Sequence, residues 1–321
     1  MKPSFHARLL NDPFGDPGLY IRVLREGRAL MFDLGFTTGL SARDILKTDD
    51  IFISHTHVDH FIGFDNVLRV SLKKDTPLRL YGPSGFTDCV EGKLKSYTWN
   101  LIGDYPVVLH VSEIAEGLIK KTVFKAENSF MREDFGTRSF DSIIMQNAFF
   151  RVSTVVLDHQ IPCLAFSLEE DYHINIDKDK LNRMGLPVGP WLGNLKTAIR
   201  EKAIDTTFTI NEKTFAFAEL EHIAEITKGQ KISYVVDALG SEENIKKIIE
   251  LVKGSDVLYI ETYFLEKDRG RAKDRYHLTA REAGRTAREA GAGSLQPLHF
   301  SPRYMDGPEA LVREAMEEFR K

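Results

Sequence analysis

Cysteine is nearly absent from this sequence: only Cys89 and Cys163 occur, far apart and without the short spacing of a thiolate metal site. The simplest compartment for such a chain is a reducing cytoplasm. No run approaches the ~18 apolar residues that a membrane span needs. The opening Met1-Lys2-Pro3-Ser4-Phe5-His6 has no apolar signal core. Repeats and low-complexity segments are missing too. Positive charge is not in excess: 43 Lys and Arg stand against 47 Asp and Glu, a net charge of −4. That balance does not announce a nucleic-acid binder, although a local basic patch and bound dications can neutralise phosphates on an acidic protein. With 42% hydrophobic and 28% charged residues over 321 positions, there is enough apolar mass for the core of a soluble globular enzyme.

Strands and helices alternate along much of the chain, which implies layered sheets covered by helices. Runs 19–24 and 28–32 read as a hairpin turning at Arg25-Glu26-Gly27. Strands are expected at 51–53, 78–81, 107–111, 118–125, 149–157, 164–168, 232–236, 257–260 and 295–298. An amphipathic helix is expected over 61–72, and another starting at Pro83 and running to about Tyr97. Ser241 should cap a helix reaching Val252, Thr279 and Glu282 form a capping box for a helix ending near Gly291, and 308–319 is the last amphipathic helix. The stretch 127–145 is irregular and reads as a loop or insertion, either covering a cleft or lying on the surface. Glu169-Glu170-Asp171 reads as a solvated strand end. Residues 172–203, with a Gly/Pro hinge before a basic helical turn, suggest a protruding arm; 265–276 is polar and carries Arg269, Arg271, Lys273 and Arg275.

The stretch that organises the rest is Ser54-His55-Thr56-His57-Val58-Asp59-His60, directly after the apolar run Ile51-Phe52-Ile53. His55 and His57 are two apart, so an extended backbone aims both rings the same way. Asp59 and His60 then turn toward the following helix. Four metal-avid groups beside a buried strand would be poorly satisfied as mere structure. The pattern resembles that of the metallo-β-lactamase superfamily, which implies an α/β fold, the αββα four-layer sandwich, in a single domain with a small protruding arm.

Other lone polar residues fall at the ends of apolar β-runs: His159, Asp237 and His299. Active sites collect at such positions. With them the ligand count closes. One metal takes His55, His57 and His159; the other takes Asp59, His60 and His299; the Asp237 carboxylate can bridge both. Nitrogen and oxygen donors without thiolate suit Zn²⁺, with Mn²⁺ or Fe²⁺ as alternatives. Two such ions about 3.5–4 Å apart would share a water, lower its pKa and supply hydroxide at neutral pH.

The C-terminal third narrows the resemblance. Glu261-Thr262-Tyr263-Phe264, His277-Leu278-Thr279-Ala280 and His299-Phe300-Ser301-Pro302-Arg303-Tyr304 resemble the ribonuclease Z family, the tRNA 3′-processing endonucleases. Leu157-Asp158-His159-Gln160-Ile161-Pro162 and Leu80-Tyr81-Gly82-Pro83 are similar as well. So is Gly185-Leu186-Pro187-Val188-Gly189-Pro190 with Leu195-Lys196, which resembles the stem of that family's tRNA-binding arm. The resemblance implies a metal-dependent endoribonuclease acting on tRNA precursors, with Asp59 and His277 as catalytic residues. His277 would sit near Asp59 and pass a proton to the leaving ribose oxygen. Ser301 and Arg303 would hold substrate phosphate. Gly189, Pro190 and Lys196 belong to an arm, about 177–202, that grips the tRNA elbow and can reach across a homodimer. Two alternatives stand beside this reading: the same chemistry on a small or cyclic phosphodiester, and a non-catalytic, metal-stabilised RNA-binding protein.

Overall fold

A computed structural model describes residues 3–24, 26–115 and 117–321 of the chain; Arg25 of the expected turn and Met1-Lys2 of the N-terminal reading lie outside the described residues. The first half runs β1 (Phe5–Leu9), β2 (Leu19–Val23), β3 (Arg28–Phe32), α1 (Ala42–Leu46), β4 (Thr48–Phe52), α2 (Val58–Phe61), α3 (Phe64–Ser71), β5 (Leu78–Pro83), α4 (Phe86–Lys95), β6 (Val108–Ala115), β7 (Leu118–Lys125) and β8 (Arg132–Ser139). Among the described residues these strands form one sheet in chain order, β1 to β8, with β3 to β6 parallel to one another. The second half opens with β9 (Ile143–Gln146), β10 (Phe150–Asp158) and β11 (Pro162–Glu170). There follow β12 (Tyr172–Ile176), α5 (Lys178–Arg183), α6 (Trp191–Glu201), β13 (Thr207–Ile210), β14 (Lys213–Ala216), α7 (Phe217–Leu220) and β15 (Ala224–Lys228). It closes with β16 (Lys231–Val235), α8 (Glu242–Val252), β17 (Val257–Glu261), α9 (Arg269–Asp274), α10 (Ala280–Glu289), β18 (Leu295–Leu298) and α11 (Glu309–Phe319). The second sheet has the order β18-β17-β16-β11-β10-β9, with β16, β17 and β18 parallel.

Three apolar layers account for the stacking. Phe32, Phe52, Phe166 and Tyr234 are buried between the two sheets, with Phe32 and Phe166 stacked at 5.2 Å and 3°. Helices α1, α3 and α4 cover the outer face of the first sheet through Ile45, Phe64, Val67 and Val90. Helices α8, α10 and α11 cover the second through Ile248, Ala283, Ala287 and Leu311. Their starts follow side-chain chemistry: Ser41 caps α1, Ser241 caps α8, and Thr279 with Glu282 makes the expected capping box at α10. At α10 the small residues matter, since a Cβ on Gly284 would lie 2.2 Å from Ala315 O of α11.

The structure corrects several expectations. The single helix over 61–72 is two, α2 and α3, because the chain breaks at Ile62-Gly63. Gly63 packs so closely that a Cβ would meet Gly35 O at 2.3 Å. Pro83 does not start a helix: it ends β5, opposite Ile114, and α4 begins at Phe86 after Gly85, whose φ of +84° suits glycine. The 127–145 stretch supplies edge strand β8 and most of β9, and none of its residues lines the metal cleft described below. Glu170 is not a solvated end. It is 1% exposed and accepts from Ser4 Oγ, Arg200 and Gln230 N beside His173. The arm is larger than 172–203: β12 and β15 pair as its stem, and Leu181, Trp191, Leu195, Phe208 and Phe217 give it a core of its own.

Since Phe166 is buried and packed on Phe32 and Phe52, Phe166→Ala should lower the unfolding free energy by about 3–5 kcal/mol. Denaturant titration checks this; a drop under about 1 kcal/mol would mean the two sheets do not depend on that packing.

Candidate metal centre and cleft

The parallel strands of both sheets end on the same edge of the sandwich, where ligands collect in sheet-based folds. Asp33 follows β3, Ser54 and His55 follow β4, Asp237 follows β16, Glu261 ends β17 and His299 follows β18. From the antiparallel pair β10 and β11 comes His159. Three of these residues turn the chain sharply with positive φ, Asp33 (+55°), Asp237 (+50°) and His299 (+55°). Backbone of this kind costs about 1–3 kcal/mol at a non-glycine residue and persists only where the surroundings hold it.

The imidazoles are oriented by partners behind them. Asp33, fully buried, accepts from Ser54 N (2.6 Å), Ser54 Oγ (2.8 Å) and Tyr234 Oη (3.1 Å), and lies 2.9 Å from His60 Nδ1. A carboxylate only accepts, so Nδ1 of His60 carries a proton in either charge state, and Nε2 is the nitrogen a cation takes over once the ring is neutral. The same logic applies to His159, whose Nδ1 is 2.7 Å from the carbonyl of Tyr276. Ser54 spends its own proton on Asp33, so at 3.1 Å it accepts from His55 Nδ1. The three remaining nitrogens converge: Nε2 of His55, His60 and His159 each lies 3.4 Å from Asp237 Oδ2. Nε2 of His55 and of His60 is buried without a hydrogen-bond partner. Neutral imidazoles would aim lone pairs at this carboxylate oxygen and repel it unless positive charge lies between them; a proton on His60 supplies some in the metal-free protein, and divalent cations are what the whole donor set fits. His57 joins the first group, with ligand atoms of His55, His57, His159 and Asp237 all within 4.8 Å of one another. Asp59, His60 and His299 form a second such group.

Electrostatics agree. Burial, reinforced by His60, pushes the His55 imidazole down to about 2. Burial would lower His299 as well, but the Asp237 and Asp59 carboxylates outweigh it and raise the group to about 9. His60 is raised too: Asp237 and Asp33 overcome its burial. Asp59 is held well below the usual carboxylate range, since the His299 and His60 contacts overcome its burial.

A cleft of about 560 Å³ opens on this centre. His57, Asp59, His159, Asp237, His277 and His299 line it, with Ser301 and Arg303. The Nδ1 of His277 sits 2.8 Å from Glu261 Oε2, and its ring stacks on Tyr263 at 3.8 Å and 3°. Asp59 lines the same cleft, while Glu261 and Tyr263 hold the His277 ring in place. Ser301 is buried, its Oγ accepting from Arg303 N at 3.4 Å. Gly189 and Pro190 lie in the arm, away from the cleft, in a loop that Trp191 closes through a 3.0 Å bond to Pro187 O. Lys196 is also in the arm, and its ammonium donates to Ile174 O of the stem. Sequence reasoning missed the orienting groups Asp33, Ser54, Glu261 and Tyr263. Asp33 and Glu261 stood in plain view as strand ends, but their roles need the fold.

Layers stacked this way, with a shared strand edge given over to imidazoles and carboxylates, define a hydrolase of the metallo-β-lactamase fold. The solved metallo-β-lactamase fold protein YhfI of Bacillus subtilis shares that fold, with a TM-score of 0.55 over 98% of this chain and 93% of that one at 15% identity. No protein-family model matches the chain. Similarity along the whole sequence is more specific. Ribonuclease Z of Lactiplantibacillus plantarum is 30% identical over 309 residues, 90% of this chain and 85% of that protein. Ribonuclease Z of Deinococcus radiodurans is 28% identical over 306 residues, 94% and 91% of the two chains. The chain belongs to the ribonuclease Z family.

Two outcomes test the centre. With both groups raised, His60 and His299 are protonated at pH 7 in chelated protein, so metal uptake displaces those protons. About two protons should leave per site pair at pH 7, and affinity should climb with pH, the His299 share of the rise ending near pH 9, where that group gives up its proton anyway. Titration calorimetry in buffers of different ionisation enthalpy reads this directly; no buffer dependence would contradict it. Asp33→Asn should weaken metal binding by about 10–100-fold, measured by chelator competition.

Proposed function

We propose that the protein removes 3′ trailers from tRNA precursors, as a metal-dependent phosphodiesterase of the ribonuclease Z type. The observation that carries the reading is three overlapping ligand groups at one cleft, the two above and a third of Asp237, Glu261, His277 and His299, which brings the Glu261-held His277 directly beside the metal ligands. His55, His57 and His159 would hold one divalent ion, Asp59, His60 and His299 the other, with Asp237 between them. Nitrogen and oxygen donors favour Zn²⁺. When bound, such ions act as Lewis acids on a phosphodiester and acidify a water.

The chain's own residues supply the rest. Asp59 stays ionised at any working pH, so it can bind a cation and accept a hydrogen bond from the attacking water. Glu261 accepts a hydrogen bond from His277 Nδ1–H, which turns Nε2–H of the protonated ring toward the ribose oxygen that departs and lets it give up its proton there. Ser301 and Arg303 would hold the phosphate, the guanidinium through its planar fork. The arm, with its separate core, would grip the body of the tRNA, either within one protomer or across a homodimer. Among the described residues no helix is long and apolar enough to cross a membrane, and both cysteines are free thiols; we place the protein in the cytoplasm beside its substrate.

Cleavage of a precursor tRNA with a 3′ trailer, run beside a nitrophenyl phosphodiester, tests the reading. Cutting at the acceptor end should require metal and vanish in Asp59→Ala. His277→Ala should slow it by about 10²–10⁴-fold. Replacing residues 177–223 with a short glycine turn between β12 and β15 should raise KM for the tRNA far more than for the small diester. Turnover of the small diester alone would move the protein to another phosphodiester substrate.

A further inference from the structure

The polar stretch before α10 carries Arg269, Arg271, Lys273 and Arg275, each two residues from the next. Residues four apart on a helix share a face, so along α9 and its C-terminal cap Arg275 the four cations split into two pairs. Arg271 and Arg275 line the metal cleft, as Arg303 does from the turn after His299. Arg269 and Lys273 line a different groove, about 870 Å³, toward α8.

The two faces use their charge differently. Arg269 is paired with Glu266 at 2.7 Å and Glu282 at 3.1 Å, where it ties α9 to α10. Arg271, Arg275 and Arg303 are exposed, and among the described residues none of them forms an ion pair with a carboxylate. The one acid that α9 adds to the metal cleft is Asp274. Asp59 and Asp237 line the cleft as well, but they belong to the ligand groups that divalent ions would neutralise; beside them, three guanidinium groups, always charged, favour an anion.

Their placement is fixed. Ala272 is 1% exposed and anchors α9 in the core, and its carbonyl accepts from His277 N at 2.9 Å. Asp268, just ahead of the helix, accepts from Tyr304 Oη at 2.6 Å. The helix is thereby tied both to His277 and to the turn that bears Arg303.

We propose that Arg271 and Arg275 bind backbone phosphates of the RNA next to the scissile one, on the His277 side of the cleft, while Arg303 stays with the scissile phosphate. The inference rests on the reading of the substrate as precursor tRNA and deepens it. A single small diester offers no flanking phosphate, whereas a polynucleotide offers one on each side. Phosphate contacts set the strand's position without reading its bases, so these arginines make cleavage depend on a continuous backbone and not on trailer sequence.

The test is kcat/KM for a precursor tRNA across a salt series. Removing one arginine that neutralises a phosphate should flatten the slope of log kcat/KM against log salt by about 0.7. Arg271→Ala and Arg275→Ala should each show that change, with a fall of about 10- to 100-fold at low salt carried mainly by KM. Arg271→Lys and Arg275→Lys should restore most of the slope, which a purely structural role would not produce. Lys273→Ala removes the same charge from the opposite face and should leave slope and rate as they are. Equal falls in all three alanine variants would reduce the effect to net charge and overturn the proposal, as would an unchanged slope in the arginine variants. Should the unaltered protein leave precursor tRNA uncut yet cleave another RNA, the tRNA reading fails, and the same series on that RNA still decides the arginines.

Discussion

Asp237 Oδ2 stands 3.4 Å from three imidazole nitrogens at once, and much of the surrounding structure exists to hold it there. Left alone, such a convergence of lone pairs and negative charge would push itself apart. It survives because each ring is pinned from behind: His55 by Ser54, His60 by Asp33, His159 by the carbonyl of Tyr276. Those pins come from β3, β4 and the segment after α9, so the two sheets must be correctly layered before the cluster can form. Aromatic packing between the sheets, with Tyr234 reaching from the core to Asp33, links that layering to the metal centre.

The parts legible in the sequence were those written as local patterns. His55, His57, Asp59 and His60 announce themselves by spacing, and His159, Asp237 and His299 by their place after apolar runs. The cleft and its neighbours bring all seven together. The capping box at Thr279 was equally readable, because a cap is a matter of four consecutive residues. Features that depend on distant partners were not. Glu170 looks like a surface acid until Ser4, His173 and Arg200 close over it. Asp33 and Glu261 look like ordinary strand ends until the imidazoles they orient arrive from elsewhere in the chain. The helix break at Gly63 is set by the approach of Gly35, 28 residues away in sequence, which no periodicity could reveal.

The arm and α9 divide the remaining labour. The arm carries its own apolar cluster and is rooted through Arg200 on Glu170, deep in the sandwich, so its direction is set by buried contacts at its base. Helix α9 is the opposite kind of element: six residues, a single buried alanine, and a charged side facing each way. Helix α9 and its cap bring Arg271 and Arg275 to the cleft that Arg303 also lines, so a chain with a net charge of −4 still sets guanidinium groups beside its metal ligands.

The left-handed turns at Asp33, Asp237 and His299 set two demands on the same three positions. Glycine would relax the backbone at each of them. Only a carboxylate or an imidazole can do the chemistry. The residues that would make the most comfortable fold and the residues that make a working centre are therefore different residues. Stability has been given up here, turn by turn, so that ligand atoms from opposite sheets can point at one place.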